Sequence, residues 1–312
     1  MRNVLVTGGA GFIGSHLAEA LTARGDAVTI LDDFSSGKRA NLGAWAKGIR
    51  VIEGSVCDAA AVKQASEGAD VVFHQAAIPS VEHSFADPVA TQRAIAFGTL
   101  QVLAAARDAR IRRVVFASSS SVYGDSPELP KREDMEPGPL SPYAASKWLA
   151  ERYAELFAPL YGMEVAALRY FNVYGPRQDP ASPYSAVIPR FVRAALRKEA
   201  PVVYGDGRQT RDFTHVSDVV AANLAAAEAE FRGFALANVC SGARASLLDL
   251  IAAVRAATGP CPEPRFEPAR KGDVRDSLGD PARAAALFGF AAKTRLADGL
   301  RTVIEWMRAN GN

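Results

Sequence analysis

At 312 residues with 49% hydrophobic content, the chain can bury a large core, enough for two domains or one domain with a sizeable lobe. A net charge of +2 with interspersed signs and no long basic run gives no ground for nucleic-acid binding. No apolar run reaches membrane-span length, and no signal-peptide layout opens the chain, so a soluble cytoplasmic protein without membrane contact is expected.

Asn3–Thr7 reads as a short apolar strand ending in glycines, followed by a helical pattern through Ile13, Leu17 and Leu21. Ala27–Leu31, Arg50–Glu53, Val71–His74, Arg113–Ala117 and Glu164–Arg169 are further strands, separated by Ala-rich segments of helical length. Short, nearly uninterrupted apolar strands alternating with helices predict a parallel sheet covered on both faces. After Asn172 the texture changes. Gly175–Pro183 is rich in proline and polar residues and reads as an excursion. Ile188–Arg197 and Val216–Ala229 are expected helices, Val202–Gly207 a strand and turn, and Ala235–Val239 a strand able to return to the sheet. Ser246–Thr258 is helical with Ser246 as N-cap, Pro260–Pro268 a connection, and Leu296–Ala309 a closing helix. Cys57, Cys240 and Cys261 are scattered, and His16, His74, His83 and His215 form no metal motif.

Thr7-Gly8-Gly9-Ala10-Gly11-Phe12-Ile13-Gly14 lies between the first strand and first helix. Gly8, Gly11 and Gly14 let the backbone turn tightly and let a pyrophosphate approach the helix N-terminus. Asp32, at the end of the second strand, suits a ribose 2′-hydroxyl and repels a 2′-phosphate, which favours NAD over NADP. Lys38 and Arg39 are the residues that argue the other way.

Within Ser141-Pro142-Tyr143-Ala144-Ala145-Ser146-Lys147, Tyr143 and Lys147 stand one helical turn apart, with Pro142 suited to the opening turn. A phenol is a poor base at neutral pH; a nearby ammonium favours the phenolate and lets it take a proton from an alcohol. An ordinary solvated helix face would carry the same pair, so the spacing alone does not decide.

TGGAGFIG (7–14), DDFSSG (32–37), HQAA (74–77), SSSSVYG (118–124), SPYAASK (141–147), RYFNVYGPRQDP (169–180), RDFTHV (211–216) and RKGD (270–273) together resemble the extended short-chain dehydrogenase/reductase superfamily. Within it, the chain most resembles the UDP-sugar epimerases typified by UDP-galactose 4-epimerase. The resemblance implies a Rossmann-type doubly wound parallel α/β sheet with a smaller mixed α/β substrate-binding lobe. It assigns residues 1–171 plus 214–243 to the NAD-binding domain and 172–213 plus 244–312 to the lobe. It also implies an isomerase of carbohydrate metabolism, acting on a UDP-sugar with bound NAD.

By that resemblance, Tyr143 is the catalytic phenol, Lys147 lowers its pKa and holds the nicotinamide ribose, and Ser119 bonds the reacting hydroxyl. Ser120 and Ser121 line the same site. Phe12 and Ile13 meet the pyrophosphate, while Asp32, Asp33, Phe34, Ser36 and Gly37 surround the adenosine ribose. Ser55 and Val56 lie beside adenine, Gln75, Ala76 and Ala77 along the cofactor, and Phe171 against the nicotinamide. Asn172, Val187, Tyr204, Arg211, Arg270 and Asp273 belong to the UDP-sugar side. Two positions depart from the family pattern: Ser55 where many relatives have Asp, and Ile95 where an Asn usually precedes Gly98-Thr99. Ser120-Ser121 replaces the Asp-Glu pair of 4,6-dehydratases, and the Glu typical of UDP-glucuronate decarboxylases is missing from the same region. Ser277 occupies a gate that a Tyr fills in some relatives. An open gate, together with Tyr184-Ser185-Ala186-Val187-Ile188-Pro189, implies activity on UDP-GlcNAc/UDP-GalNAc as well as UDP-Glc/UDP-Gal, with UDP-glucuronate 4-epimerisation as the alternative. A homodimer through helices near Asp87–Ala109 and Pro142–Tyr161 is implied too.

Overall fold

The computed structural model describes residues 1–179, 186–269 and 274–311. The first half alternates β1 (Asn3–Thr7), α1 (Phe12–Ala23), β2 (Ala27–Asp32), β3 (Arg50–Glu53), α2 (Ala59–Ser66) and β4 (Val71–His74). Next come α3 (Val81–Ala86), α4 (Pro88–Gln92), α5 (Gly98–Asp108), β5 (Arg113–Ser119), α6 (Pro142–Tyr161) and β6 (Glu164–Tyr170). The second half holds β7 (Asn172–Tyr174), α7 (Val187–Leu196), β8 (Val202–Tyr204), β9 (Thr210–His215), α8 (Val216–Glu228) and β10 (Phe234–Val239). It ends with β11 (Arg244–Ser246), α9 (Leu247–Thr258), β12 (Arg265–Glu267), α10 (Ala282–Phe288) and α11 (Leu296–Ala309).

Seven parallel strands form the main sheet in the order β10-β6-β5-β4-β1-β2-β3. Both faces are buried, which is why its strands read as continuous apolar runs. Val4, Val6, Phe73, Val115 and Ala166 face the layer containing α1 and α8, whereas Leu5, Val72, Val114 and Val165 face that of α2, α5 and α6. Strand order reverses between β1 and β4. Such a switch point opens a crevice at the carboxyl ends of the strands.

A smaller lobe has two short sheets, β11-β9-β7 and β12-β8. Its own core comes from β7, α7, β8, β9, α9 and α11, including Phe191, Val203, Phe213, Leu250 and Ile304. Of the segments beyond β6, α8, β10 and α10 return to the main sheet, and the others build this lobe.

Several boundaries differ from the sequence reading. β5 runs on to Ser119 and β6 to Tyr170, in register through Ser118↔Arg169 and Ser119↔Tyr170. The apolar pattern stops earlier because Ser118 and Arg169 are polar, yet both are buried against Glu151. The connection over 260–268 contains β12, paired with β8. The single helix expected over 87–109 is interrupted by a π turn, Arg93–Phe97, with Ile95 inside it.

Candidate active site

The Gly-rich turn is built for close backbone approach. Gly8 sits at φ +69°, and a Cβ there would lie 2.7 Å from the Ala76 nitrogen. A Cβ on Gly14 would come within 2.0 Å of the Gly8 oxygen, so the first turn of α1 packs directly on the loop. Gly11 caps α1 without any side-chain hydrogen bond, leaving the amides of the first turn to a ligand anion. Asp32 accepts from the Ala10 amide and the Phe34 amide, both at 2.8 Å. Its burial pushes the carboxyl above the usual range, against those two bonds. A Cβ on Gly37 would meet Asp32 Oδ1 at 2.7 Å, so the turn after β2 closes around the carboxylate. Asp33 accepts from Ser35, and Asp33 and Ser36 are exposed at the rim. Lys38 pairs with Asp179 at 2.6 Å, while Arg39 pairs with Glu53 and lies over the Phe34 ring. Both cations pair with carboxylates in exposed surface contacts. These glycines and Asp32 fit an NAD half with a free ribose hydroxyl.

Behind the loop runs a buried relay. His74 Nδ1 lies 2.7 Å from Thr7 Oγ1, and Nε2 lies 3.0 Å from Thr99 Oγ1. Thr99 gives its hydrogen to the Ile95 carbonyl, so it accepts from His74 Nε2, and Thr7 donates to Nδ1. Burial holds His74 neutral, with its pKa pushed down to about 3. Ile95 thus contributes only its carbonyl where the family pattern has a polar side chain. Val56 packs against Gly98, and Ser55 Oγ accepts from the Cys57 amide. Ala76 donates its amide to Thr7 Oγ1, and Ala77 is half-buried beside it. The Gln75 side chain is tied to Asn223 at 3.0 Å and Tyr170 at 3.1 Å.

Ser141 caps α6 by accepting from the Ala144 amide, Pro142 fills the first turn, and left-handed Gly162 ends the helix. Tyr143, Lys147 and Glu151 consequently stack on one face. Ser119 Oγ accepts from both the amide and the hydroxyl of Ser121, at 3.2 and 2.9 Å. Its own hydrogen is left for the Tyr143 oxygen, a bond that favours the phenolate. Burial outweighs it and holds Tyr143 above the ordinary phenol range. The Lys147 ammonium is 6.0 Å from the Tyr143 ring centre and donates to the Ala117 carbonyl at 2.6 Å. Burial brings Lys147 itself down to about 8, with the Glu151 charge opposing. Glu151 is held by Arg169 through two bonds, at 2.9 and 2.7 Å, and accepts from Ser118 at 2.5 Å.

A cavity of about 520 Å³ joins this constellation to the small lobe. Its walls bring together Phe12, Ile13, Ser119, Ser120, Ser121, Tyr143, Phe171, Asn172, Val187, Tyr204, Arg211 and Ser277. Phe171 shows the cavity only an edge, being 2% exposed. Asn172 donates to the Asp212 carbonyl at 3.3 Å. Arg211 donates to the Thr210 and Arg275 carbonyls at 2.9 and 3.3 Å, which steadies its guanidinium at the wall. Tyr184, Ser185, Arg270 and Asp273 lie outside the described residues. Gly8, Asp32, Ser55, Val56 and Lys147 are not among the residues that line the cavity.

Sequence reasoning missed Glu151, Arg169, Thr7, Thr99 and two glutamines. Glu151 was findable, since it continues the Tyr143–Lys147 spacing by one more turn. Gln178 and Gln209 also line the cavity, with side-chain oxygens buried and unpartnered among the described residues. No spacing marks them, because loops far apart in the chain bring them there.

The chain matches the model of the NAD dependent epimerase/dehydratase family over residues 4–239. It is 39% identical over 308 residues to the UDP-glucose 4-epimerase of Mycolicibacterium smegmatis, covering 97% of this chain and 98% of that one. The UDP-N-acetylglucosamine 4-epimerase of Methanobrevibacter ruminantium, solved with UDP-N-acetylmuramic acid, superposes with a TM-score of 0.95 at 37% identity, covering 99% of each chain. MoeE5, solved with UDP-glucuronic acid and NAD, gives a TM-score of 0.90 at 40% identity, again over 99% of each.

Proposed function

The chain belongs to the NAD-dependent epimerase/dehydratase family, with NAD as its cofactor, and within that family we propose that it is a UDP-hexose 4-epimerase. It interconverts UDP-Glc with UDP-Gal and UDP-GlcNAc with UDP-GalNAc. The observation that carries this reading is Tyr143 beside Ser119, both lining one cavity that also takes in Arg211 and small Ser277.

In this reading Tyr143 takes the proton of the sugar 4-hydroxyl and later returns it to the oxygen of the 4-keto sugar, while the hydride comes back to C4 from the opposite face. NAD supplies the hydride acceptor and, once reduced, the hydride donor. Ser119 orients the hydroxyl. The Lys147 ammonium provides the positive charge behind the phenol and holds the nicotinamide ribose. Asp32 and the glycine turn hold the adenosine half, and Phe171 flanks the nicotinamide. Asn172, Val187, Tyr204, Arg211 and, beyond the described residues, Arg270 and Asp273 keep the UDP in place while the ketone turns over. Residues 1–171 plus 214–243 serve the cofactor in this scheme, and 172–213 plus 244–312 serve the sugar nucleotide.

Two further readings accompany it. Val89, Phe97, Trp148, Leu149, Leu156 and Leu160 leave an exposed apolar surface across α4–α6, which suits a homodimer through these helices. Three free thiols suit a cytoplasmic setting. Among the described residues no helix is long and apolar enough to cross a membrane.

The deciding experiment incubates the purified protein separately with UDP-Glc, UDP-GlcNAc and UDP-GlcA, with and without added NAD, and identifies products by NMR. C4 epimers from the first two are expected. Product from UDP-GlcA alone moves the chain to glucuronate epimerisation, and none from any substrate sinks the reading.

A further inference from the structure

The wall beside Ser277 carries a lysine that the scheme above does not use. Lys131 is 2% exposed yet lines the cavity. Its backbone forms an isolated parallel bridge with Gly279: the Lys131 amide donates to the Leu278 carbonyl at 2.7 Å, and the Asp280 amide donates to the Lys131 carbonyl at 3.0 Å. Paired residues, and residues two apart on one strand, share a face. The side chains of Lys131 and Ser277 therefore emerge on the same side. A Cβ on Gly279 would meet the Phe171 ring at 2.8 Å, and Phe171 directly follows Tyr170, the register partner of Ser119. Lys131, Ser277 and Phe171 all line the one cavity that also holds Tyr143 and Ser119.

The Lys131 ammonium donates to the Ser126 carbonyl and makes no ion pair among the described residues. Asp125 and Glu128 are the carboxylates whose charge it feels, and both are engaged elsewhere. Asp125 accepts from the Arg275 amide at 3.1 Å, and Glu128 pairs with Arg132 at 2.9 Å. An ammonium has three donors, and burying it with one acceptor and no counter-ion is costly. A carboxylate arriving in the cavity would answer both deficits; a neutral hydroxymethyl group would answer neither.

We propose that Lys131 is a specificity-determining residue that receives an acidic group on the sugar ring, so that the site accepts UDP-hexuronates beside neutral UDP-hexoses. This rests on the UDP-sugar epimerase reading and narrows its substrate class. The competing role for Lys131 is a strut that holds the 124–131 loop through Ser126 and has no say in the substrate.

The test compares kcat/KM for UDP-GlcA and UDP-Glc in the wild type, Lys131→Met and Lys131→Arg. The ratio within one preparation cancels differences in folded fraction. Losing a charge-assisted bond lowers the UDP-GlcA/UDP-Glc ratio about 30-fold in Lys131→Met, and Lys131→Arg recovers part of it. A strut lowers both substrates together and leaves the ratio unchanged, which overturns the proposal. Should Lys131→Met not fold, Lys131→Gln gives the same ratio test. Wild-type turnover of UDP-Glc without UDP-GlcA also overturns it and leaves the epimerase reading standing. Turnover of neither removes the epimerase reading itself, and the Lys131 proposal with it.

Discussion

The two walls of the cavity are made differently. On one side, Tyr143, Lys147 and Glu151 ride a single capped helix, and Ser118 and Ser119 end the neighbouring strand. Arg169, one strand further, closes the set with a bidentate bond to Glu151. On the other side, Asn172, Val187, Tyr204, Arg211 and Ser277 come from five separate segments, steadied largely by bonds to backbone carbonyls. The first wall is rigid because every buried charge has a partner one turn or one strand away. The second is assembled from segments that meet only in the folded chain, through bonds such as Asn172 to the Asp212 carbonyl and the Ser277 amide to the Thr210 carbonyl. In the proposed reading, chemistry belongs on the first and substrate choice on the second.

The sharpest way to break this comparison is Tyr143→Phe. The ring stays and only the oxygen goes. Loss of proton transfer should lower kcat by about 10²–10⁴-fold, with substrate binding by calorimetry little changed. A variant retaining a tenth of the wild-type rate would show that the first wall does not hold the acid–base group.

The same contrast explains what was legible beforehand. The glycine turn, Asp32 and the Tyr143–Lys147 pair lie within short spacings that physical chemistry constrains tightly, and they stand where expected. The parallel sheet was legible because both its faces are buried. The ends of β5 and β6 were not, since Ser118 and Arg169 break the apolar pattern while the backbone ladder continues. Nor was the π turn at Arg93–Phe97, because one helical periodicity differs from another by a single residue. The raised Tyr143 pKa was not legible either, since burial sets its sign and spacing does not report burial. Lys131 is set on the cavity wall by its bridge to Gly279, far away in sequence, so no local pattern marks it.

On the second wall, the expected effect is smaller and selective. Ser277→Tyr keeps the backbone bond from Ser277 to the Thr210 carbonyl but fills the space beside the sugar. Turnover of UDP-GlcNAc should fall about 10–100-fold relative to UDP-Glc, because added volume in a closed pocket excludes the larger substituent. Equal losses for both sugars would mean that Ser277 is not a gate and that the second wall acts as one unit.

The smallest effect separates activity from stability on the first wall. Lys147 has a folded pKa of about 8 against an ordinary 10.5, because it is buried. If the ammonium is the working form, the rate declines as pH rises through about 8, by a few-fold within the first unit above it. Stability moves the other way. Between 8 and 10.5 the unfolded chain binds the proton that the folded chain has released, so this group makes folding more favourable as pH rises across that window. The same contribution is lost as pH falls back through 8. A pH–rate profile and chemical denaturation midpoints for the wild type and Lys147→Met measure both. Lys147→Met should lack the alkaline limb and show a flatter dependence of stability on pH from 8 to 10.5. If the limb persists in the variant, another group on this wall carries it, and the charge behind Tyr143 is not supplied by Lys147.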